Sequence, residues 1–497
     1  MVEQISEQTV LDLIQKMYSG ERFLDKREKD PSPDHFYEVG KELANFLKEN
    51  AIKSGGSIDD IVIAIGGDCR RSTPELIDRF VDGVIDAGIS AIYLGYNRST
   101  PSIEWAGERL GVDAVVAVTA SHFGPDRNGL KITINGAHKK ISTSPSRRHF
   151  EDEIENFYGK SLFDVAHNLY GVSIAVDSMY GASAKTFSDA ATKAGTNISA
   201  IHNIPNGNFP TLVKNAPDPS DYKNLAELRT EVKNGKYDFG IALDGDADRL
   251  VVVEESGRII PPEYLGLVFA KYISNNGYTS PVVVEKKLKF VKDALGNMGL
   301  QMIEVDTGRP YIMSGMDSAG AGLGYELSGH IFFRNAQVGN DSLDWNDDAM
   351  KTGLYLANIV KETGKKVSEL VDEACNGLPF TVGEIRFHYS RQSTLDIIAG
   401  LNLVYDSTSP KEITISDGDN TLYLRPSANS DEVTAVVYGN NKGSTKTFLD
   451  DTLDRIAVKN SEWKRFADKF NIAYEQKAEA RELEFYQPKM LVLATNH

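Results

Sequence analysis

Short apolar runs alternate with amphipathic segments along the first three quarters of the chain. Residues 61–65 form one such run, which ends in two glycines, and apolar residues at helical spacing follow from Pro74. Two further runs come next, the second at residues 114–118. Continuous apolar runs of this length are typical of strands that are buried on both faces. Their alternation with helices predicts a mixed α/β layered domain.

The same alternation starts twice more along the chain. Residues 172–181 predict a strand that enters a glycine turn and a helix, and residues 238–253 predict two strands joined by a polar loop. A third round begins with an apolar strand at residue 281. No strict sequence repeat is present, but the shared rhythm indicates related building blocks. We therefore predict three related mixed α/β domains, over residues 1–165, 166–277 and 278–377.

The pattern changes after Leu378. Alternating strands now bracket one helix, and Asp417-Gly418 predicts a hairpin turn between two of these strands. This predicts a smaller C-terminal α+β domain over residues 378–497, with a charged and partly helical tail from Lys459. At the other end, residues 1–40 are polar and charged, and we predict a loop for residues 25–34.

Charge and composition narrow the classes of partner. The formal net charge is −17, and so acidic a surface repels nucleic acid and anionic membranes. An anionic substrate would therefore need a site with its own basic lining. No apolar run approaches the ~20 residues of a membrane helix, and the N-terminus lacks the features of a secretory signal. With only two cysteines, we expect a reducing, cytoplasmic location.

The first motif with chemical potential is TASHFGPDRNGLK, residues 119–131, directly after an apolar strand. A serine at the carboxyl end of a buried strand lies where α/β folds place their ligands. Small residues make a tight loop that presents the Ser121 hydroxyl, and His122 and Lys131 lower the cost of nearby charge. On composition alone, a turn with an exposed serine is the simpler interpretation.

The second motif is Asp244-Gly-Asp-Ala-Asp-Arg249, between two apolar strands. Carboxylates at alternate positions of one loop suit a hard divalent cation such as Mg²⁺. The spacing also begins an EF-hand, but Arg249 occupies the position of the required glycine and strands flank the loop. Three unbalanced carboxylates repel one another unless a positive charge lies among them. The motif therefore predicts a metal site over a solvated acidic turn.

Two further motifs carry weaker signals. Glu326, Ser328 and His330 alternate along a strand-like run, which would place them on one face, where they suit the hydroxyls of a sugar. An edge strand with ordinary polar residues is the alternative. Near residue 425, Arg425, Ser427 and backbone amides of a tight loop suit a phosphate, although a strand-ending turn is the better interpretation of this segment taken alone.

These four motifs occur in an order that resembles the α-D-phosphohexomutases, the family of phosphoglucomutase, phosphomannomutase and phosphoglucosamine mutase. The similarity extends from residue 61 to about residue 438. It implies four domains around a central cleft, each contributing one motif. It also implies phosphoryl transfer between two hydroxyls of a hexose through a phosphoserine, with Mg²⁺ and a hexose 1,6-bisphosphate intermediate.

The resemblance also implies roles for individual residues. Ser121 would carry the phosphoryl group and would hold Mg²⁺ together with Asp244, Asp246 and Asp248. Lys131 and His330 would lie near the transferring proton. The remaining residues implied in binding the phosphorylated hexose are Arg70, Arg249, Lys287, Glu326, Ser328, Arg425, Ser427 and Asn429.

Three stretches differ from the family pattern. No Asp-Ile-Arg-Gly type loop is visible near the N-terminus, and Phe123-Gly124 stands where Asn-Pro is usual. The last loop lacks the usual Thr-Glu-Pro, and Thr434 occupies a position at which an arginine is expected. These departures leave open a catalytically impaired family member that acts as a sugar-phosphate-binding regulatory or structural protein. A metal-dependent sugar phosphatase is a third possibility.

Ser121 and the complete aspartate triplet favour an active phosphohexomutase over both alternatives. We expect it to interconvert the 1- and 6-phosphates of glucose, mannose or both, as a monomer or weak homodimer. The sequence does not distinguish among glucose, mannose and glucosamine.

Overall fold

The computed structural model describes residues 23–135, 147–166, 168–339, 341–405, 411–427 and 431–481. Within these ranges the chain forms four sheets, each built from a consecutive part of the sequence. The first sheet contains β1 Phe23–Lys29, β2 Val62–Gly67, β3 Ser90–Gly95, β4 Ala114–Val118, β5 Arg127–Ile134 and β6 Arg147–His149. Its helices are α1 Pro33–Lys53, α2 Thr73–Asp86, α3 Thr100–Leu110 and α4 Glu151–Val165.

The second and third sheets follow in the same manner. The second contains β7 Ser173–Asp177, β8 Asn197–Ile201, β9 Phe239–Leu243, β10 Leu250–Glu254 and β11 Ile259–Ile260, with helices α5 Thr186–Lys193 and α6 Ala226–Gly235. The third contains β12 Val282–Glu285, β13 Met302–Val305, β14 Leu323–Tyr325, β15 Ile331–Val338 and β16 Asp341–Trp345. Its helices are α7 Pro262–Asn275, α8 Lys292–Asn297, α9 Arg309–Ala319, α10 Ala349–Thr363 and α11 Val367–Ala374.

The fourth sheet is smaller and entirely antiparallel, in the order β17-β20-β19-β18. It contains β17 Phe380–His388, β18 Ile413–Asp417, β19 Asn420–Pro426 and β20 Glu432–Gly439. Helices α12 Arg391–Tyr405, α13 Lys442–Ala457 and α14 Ser461–Arg481 belong to this part of the chain. The prediction of a smaller C-terminal α+β domain is confirmed.

The first three sheets share one topology. In each sheet, a central strand (β2, β7 or β12) pairs in parallel with a neighbour on either side. One of these neighbours (β4, β9 or β14) also pairs antiparallel with the strand that follows it in the sequence (β5, β10 or β15). This repeated unit confirms the prediction of three related mixed α/β domains. The strands β2, β4, β9 and β10 are buried throughout, which explains their continuous apolar sequences.

The N-terminal segment differs from the prediction. Residues 25–34 were expected to form a loop, but Phe23–Lys29 forms the edge strand β1, which pairs antiparallel with β5 and places Arg27 opposite Gly129. An edge strand is held by backbone hydrogen bonds along one side and tolerates charged side chains. Its polar sequence therefore gave no hydrophobic alternation that would indicate a strand.

A hydrophobic core cluster runs through the first three domains and includes Val436 of the fourth sheet. The C-terminal helix α14 adds a polar link, since the buried Arg481 donates from Nη2 to Glu263 Oε1 of α7 at 2.8 Å. The fourth domain therefore packs against the third through both apolar and charged contacts.

Candidate active site

Three of the predicted motifs occupy the same loop of the repeated unit. Residues 119–126 join β4 to β5, residues 244–249 join β9 to β10, and residues 326–330 join β14 to β15. Each loop begins at the carboxyl end of a parallel strand, the edge at which α/β sheets bind ligands. Contacts among these loops show that the three sheet edges meet.

The Ser121 loop is strained and well supported. Ser121 has a left-handed backbone (φ 52°) and is fully buried, a conformation that costs energy for a residue with a side chain. Its N–H donates to Thr119 Oγ1 at 2.9 Å, and its carbonyl accepts from Arg70 Nη2 at 2.9 Å. Its Oγ donates to Asp244 Oδ2 at 2.7 Å, so the serine loop touches the aspartate loop directly.

Arg70, which the sequence suggested as a substrate-binding residue, lies beneath the serine loop. Its side chain is inaccessible to solvent and pairs with Asp68. The carboxylate of Asp68 also accepts from Thr73 Oγ1 at 3.1 Å and from Thr119 Oγ1 at 2.7 Å. Arg70 therefore supports the loop that carries Ser121.

The three aspartates of the second loop form a compact cluster. All are fully buried, and one carboxylate oxygen from each lies within 4.8 Å of those of the other two. Lys131 Nζ lies 2.7 Å from Asp246 Oδ2 and also bonds Asp248 Oδ2, while Thr100 donates to Asp246 Oδ2 at 2.6 Å. Asp246 Oδ1 and Asp248 Oδ1 are buried without a hydrogen-bond partner among the described residues.

The electrostatics of this cluster favour an additional cation. Burial raises the pKa of Asp244 well above its usual range, and the neighbouring Asp248 and Asp246 carboxylates raise it further. Burial also raises the pKa of Asp248, but Lys131 and His330 more than offset this and hold it at about 2. Two cations, Lys131 and Arg249, thus serve three buried carboxylates. Hard oxygen donors with two free oxygen atoms suit Mg²⁺, so the residues present fit the ion that the motif predicted.

His330 lies beside the aspartate cluster and is held from both ring nitrogens. Its Nε2 accepts from Arg249 Nε at 2.8 Å, and its Nδ1 lies 2.9 Å from Asp347 Oδ2. Asp248 Oδ1 is 3.8 Å from the same Nδ1. These contacts place both predicted residues, His330 and Arg249, at the junction of the second and third loops.

Sequence reasoning missed the residues that hold Asp347. Arg309, at the start of α9, donates from Nε to both carboxylate oxygens of Asp347 at 2.8 and 2.9 Å, and its Nη2 bonds the Glu104 carboxylate of α3. Charge-assisted bonds of this kind are strong and directional. The chain Glu104–Arg309–Asp347 therefore joins the first domain to the third and orients His330.

The loop at residues 326–330 is a turn rather than the predicted strand. Glu326 N donates to His330 O at 3.0 Å, and Gly329, which has φ 95°, donates to Glu326 O at 3.2 Å. Residues 326, 328 and 330 therefore do not alternate along one strand face. Glu326 and His330 are still both buried, whereas Ser328 is partly exposed. Glu326 Oε1 accepts from Gly308 N at 2.8 Å.

Lys287 and the last loop have different surroundings. Lys287 is buried between Glu285, at 3.1 Å, and Glu384 of the fourth domain. Arg425 lies on β19, and its buried Nε has no hydrogen-bond partner within the described ranges. Ser427 is engaged through its backbone, because its N–H donates to Glu432 O at 2.7 Å. The predicted Asn429 lies outside the described residues.

Basic side chains from all four domains act electrostatically on His122. Burial lowers the pKa of its imidazole well below the usual range, and Arg249, Arg27, Arg386 and His330 lower it further. Arg27 comes from β1, Arg249 from the second domain, His330 from the third and Arg386 from β17. The residue next to Ser121 thus lies in a basic region, as an anionic substrate of an acidic protein requires.

Comparison with known proteins agrees with this geometry. Family models for phosphoglucomutase/phosphomannomutase alpha/beta/alpha domains I, II and III match residues 25–161, 151–257 and 261–377 in that order. The chain is 30% identical over 344 residues to a phosphoglucosamine mutase of Clostridium novyi, a match that covers 62% of this chain and 71% of the relative. The chain belongs to the phosphoglucomutase/phosphomannomutase family.

Two further relatives agree with this assignment, one in sequence and one in fold. A phosphoglucomutase of Neisseria gonorrhoeae is 28% identical over 361 residues, covering 69% of this phosphohexomutase and 74% of the relative. A phosphoglucomutase/phosphomannomutase family protein of Burkholderia thailandensis superposes with a TM-score of 0.73 at 21% identity, covering 87% of this chain and 96% of that one.

A more distant structure is an Aspergillus fumigatus N-acetylphosphoglucosamine mutase in complex with GlcNAc-6P and magnesium. It has a TM-score of 0.56 at 14% identity and covers 94% of this chain and 92% of that one. The relatives of this phosphohexomutase thus carry names for different sugars, so they define the reaction class and leave the hexose open.

Two features of this phosphohexomutase were absent from the sequence prediction. Arg27 lies in a segment predicted as a loop, and Arg386 lies on a strand without a recognisable motif, yet the charges of both lower the pKa of His122, which is next to Ser121. Among the described helices, none combines the length and apolar character needed to cross a bilayer.

Proposed function

We propose that this protein interconverts hexose 1-phosphate and hexose 6-phosphate, with glucose, mannose or both as the hexose. The proposed route is a phosphorylated Ser121 and a hexose 1,6-bisphosphate intermediate. The observation that carries the proposal is the contact of the Ser121 hydroxyl with Asp244, inside a buried three-aspartate cluster beside which Lys131 and Arg249 lie. This combination suits transfer of a phosphoryl group, which requires positioning and charge neutralisation.

Asp244, Asp246 and Asp248, with the oxygen of Ser121, would hold Mg²⁺. When bound, the ion would neutralise charge that develops on the phosphoryl oxygens. The magnesium named in the Aspergillus fumigatus complex supports this choice of ion. Lys131 contributes its own positive charge at the same place, since it bonds Asp246 and Asp248 in the described structure.

The chain's own residues account for both halves of the reaction. Transfer from phosphorylated Ser121 breaks the bond between Oγ and phosphorus and forms a bond from phosphorus to a sugar oxygen, whose proton must leave. We assign to Lys131 and His330 the exchange of that proton, which returns to the sugar oxygen released in the second step. The sugar then turns, and its other phosphoryl group returns to Ser121, so that the serine stores the group between the two steps.

The turn at residues 326–330 would determine sugar binding. We expect Glu326→Gln and Ser328→Ala to raise KM by roughly 10-fold with little change in kcat, because hydrogen bonds to hydroxyls act in the ground state and transition state alike. Steady-state kinetics with glucose 1-phosphate and mannose 1-phosphate would measure this. Glu304→Gln, an exposed change in the same domain, is the control. A loss confined to kcat would instead assign Glu326 a chemical role.

One coupled assay separates the proposed function from its alternatives. Purified protein with Mg²⁺ receives glucose 1-phosphate, mannose 1-phosphate or glucosamine 1-phosphate, and both hexose 6-phosphate and free phosphate are quantified. Formation of hexose 6-phosphate with little free phosphate supports the mutase. Free phosphate as the main product would indicate a phosphatase, and binding without turnover would indicate a sugar-phosphate-binding regulatory protein.

A further inference from the structure

A buried carboxylate stands at the same place in the first and third sheets. Gly67 of β2 pairs with the last residue of β4, and Asp68 comes directly after it. Val284 of β12 pairs with the last residue of β14, and Glu285 comes directly after it. Both acidic residues are inaccessible to solvent. The repeated unit therefore places an acid at the carboxyl end of the central strand in both domains.

In the first domain this acid holds the serine loop. Asp68 accepts from Thr119 Oγ1 of that loop at 2.7 Å, and it pairs with Arg70, two residues further along the chain. Arg70 in turn donates from Nη2 to the carbonyl of Ser121 at 2.9 Å. The carboxylate and the guanidinium together fix the backbone that presents the serine hydroxyl.

Glu285 makes the corresponding contacts in the third domain. Its Oε1 accepts from the N–H of Leu327 at 2.7 Å, inside the turn at residues 326–330. Its Oε2 lies 3.1 Å from Nζ of Lys287, which is again two residues further along the chain. Lys287 gives its hydrogen bond to Glu384 of the fourth domain, and Glu285 Oε2 has no hydrogen-bond partner within the described ranges. The contact of Glu285 with Lys287 is therefore electrostatic, and two acids share this lysine.

The bond to Leu327 holds the part of the turn that we assign to the sugar. Leu327 lies between Glu326 and Ser328, the two residues proposed to bind hydroxyls of the hexose. A backbone N–H that donates to a carboxylate makes a strong, charge-assisted bond. Since hydrogen bonds weaken steeply when donor and acceptor are misaligned, a shift of the backbone at Leu327 would misdirect both neighbouring side chains.

We propose that Glu285 is a positioning residue for the hexose, because it fixes the turn that carries Glu326 and Ser328 and holds Lys287 beside that turn. Glu285 thereby does for the sugar turn what Asp68 does for the serine loop. It acts through these neighbours and makes no contact with the sugar. This inference rests on the proposed function, which assigns the turn to the hexose.

The test replaces Glu285 in two steps. In Glu285→Gln the amide oxygen still accepts from Leu327, but the charge opposite Lys287 is lost. Glu285→Ala removes both interactions. We expect KM for hexose 1-phosphate to rise roughly 10- to 100-fold in Glu285→Ala, since a displacement of about 1 Å costs up to about 100-fold, and by less in Glu285→Gln. Glu304→Ala removes an exposed carboxylate from the neighbouring strand β13 and should leave KM unchanged.

The turnover number separates this role from a general loss of structure. His330, at the end of the same turn, is held independently by Arg249 and Asp347. We therefore expect kcat to change much less than KM in both Glu285 variants.

A double-mutant cycle shows whether Glu285 acts through the turn. Ser328→Ala alone is expected to raise KM roughly 10-fold. If Glu285→Ala has already displaced Ser328, the second change should add much less than this. Residues that share no interaction have effects that multiply. Multiplied effects would overturn the inference and would leave Glu285 only as a partner of Lys287.

The outcomes distinguish this inference from the proposed function. An unchanged KM for Glu285→Ala, or a loss confined to kcat, would overturn the inference while an active parent protein leaves the mutase intact. If the parent shows no turnover, the proposed function fails, and calorimetric titration with glucose 6-phosphate compares the parent with Glu285→Ala. Equal affinities, or no binding by the parent, would then overturn the inference as well. Should Glu285→Ala melt early, Glu285→Asp carries the same cycle, because it keeps the charge and shortens the reach to Leu327.

Discussion

Replacement of Ser121 by alanine is expected to reduce phosphoryl transfer by roughly 10³-fold or more, since removal of a catalytic nucleophile commonly costs at least this much. The Ser121 hydroxyl is the one that bonds Asp244, and its loop is held in a strained conformation by Thr119 and Arg70. Such strain is retained where the surrounding structure requires one geometry. The coupled assay measures the loss, and peptide mass spectrometry should find phosphate on Ser121 of the parent protein.

The structure provides a matched control for this experiment. Thr100 also directs a hydroxyl into the cluster, where it donates to Asp246 Oδ2 at 2.6 Å. Thr100→Ser keeps that hydrogen bond and should keep most of the activity. Full activity of Ser121→Ala, or phosphate found on Thr100 instead, would show that the phosphoryl carrier has been misassigned.

Local sequence patterns were sufficient to predict much of this architecture. The buried strands β2, β4, β9 and β10 have continuous apolar sequences, because helices cover both faces of their sheets. The serine and aspartate motifs follow such strands directly, so their position at the carboxyl edge could be predicted from order alone. The corresponding edges of the first and second sheets meet, and this brings Ser121 into contact with Asp244.

Features that depend on distant parts of the chain could not be predicted in this way. The strand β1 is polar because it lies at an edge, and its backbone pairing with β5 has no hydrophobic signature. The turn at residues 326–330 has an alternating sequence that also fits a strand. Arg309 meets Glu104 across 205 residues, and the charge of Arg386 on β17 acts on His122 of the first domain.

The aspartate cluster leads to a prediction in which function and stability diverge. Changes in residues outside the coordination sphere already reduce metal affinity or activity by about 10- to 100-fold. We therefore expect Asp244→Asn and Asp246→Asn each to exceed this loss in Mg²⁺ affinity and in turnover. Calorimetric titration with Mg²⁺ measures the first effect and the coupled assay the second. Asp164→Asn, an exposed change on α4, is the control and should leave both unchanged.

Without metal, the same two variants should differ in stability. Burial, Asp248 and Asp246 raise the pKa of Asp244, so the charged form of Asp244 destabilises the folded protein at neutral pH. Because Asp244→Asn removes that charge, this variant should have a higher melting temperature than the parent in the presence of a chelator. For Asp246, burial and Asp248 also act to raise the pKa, but Lys131 and Thr100 leave it lowered overall. Its charged form therefore stabilises the fold, and Asp246→Asn should melt earlier.

Addition of Mg²⁺ completes the test. An ion that binds only the folded state raises the melting temperature, so the parent should gain stability with Mg²⁺ while both asparagine variants gain little. Equal gains in all three proteins would place the ion elsewhere. A parent protein that gains nothing, with activity independent of Mg²⁺, would identify the loop as an acidic turn neutralised by Lys131 and Arg249. The opposite shifts in melting temperature expected for Asp244→Asn and Asp246→Asn in a chelator would then remain, because they depend on the carboxylates themselves.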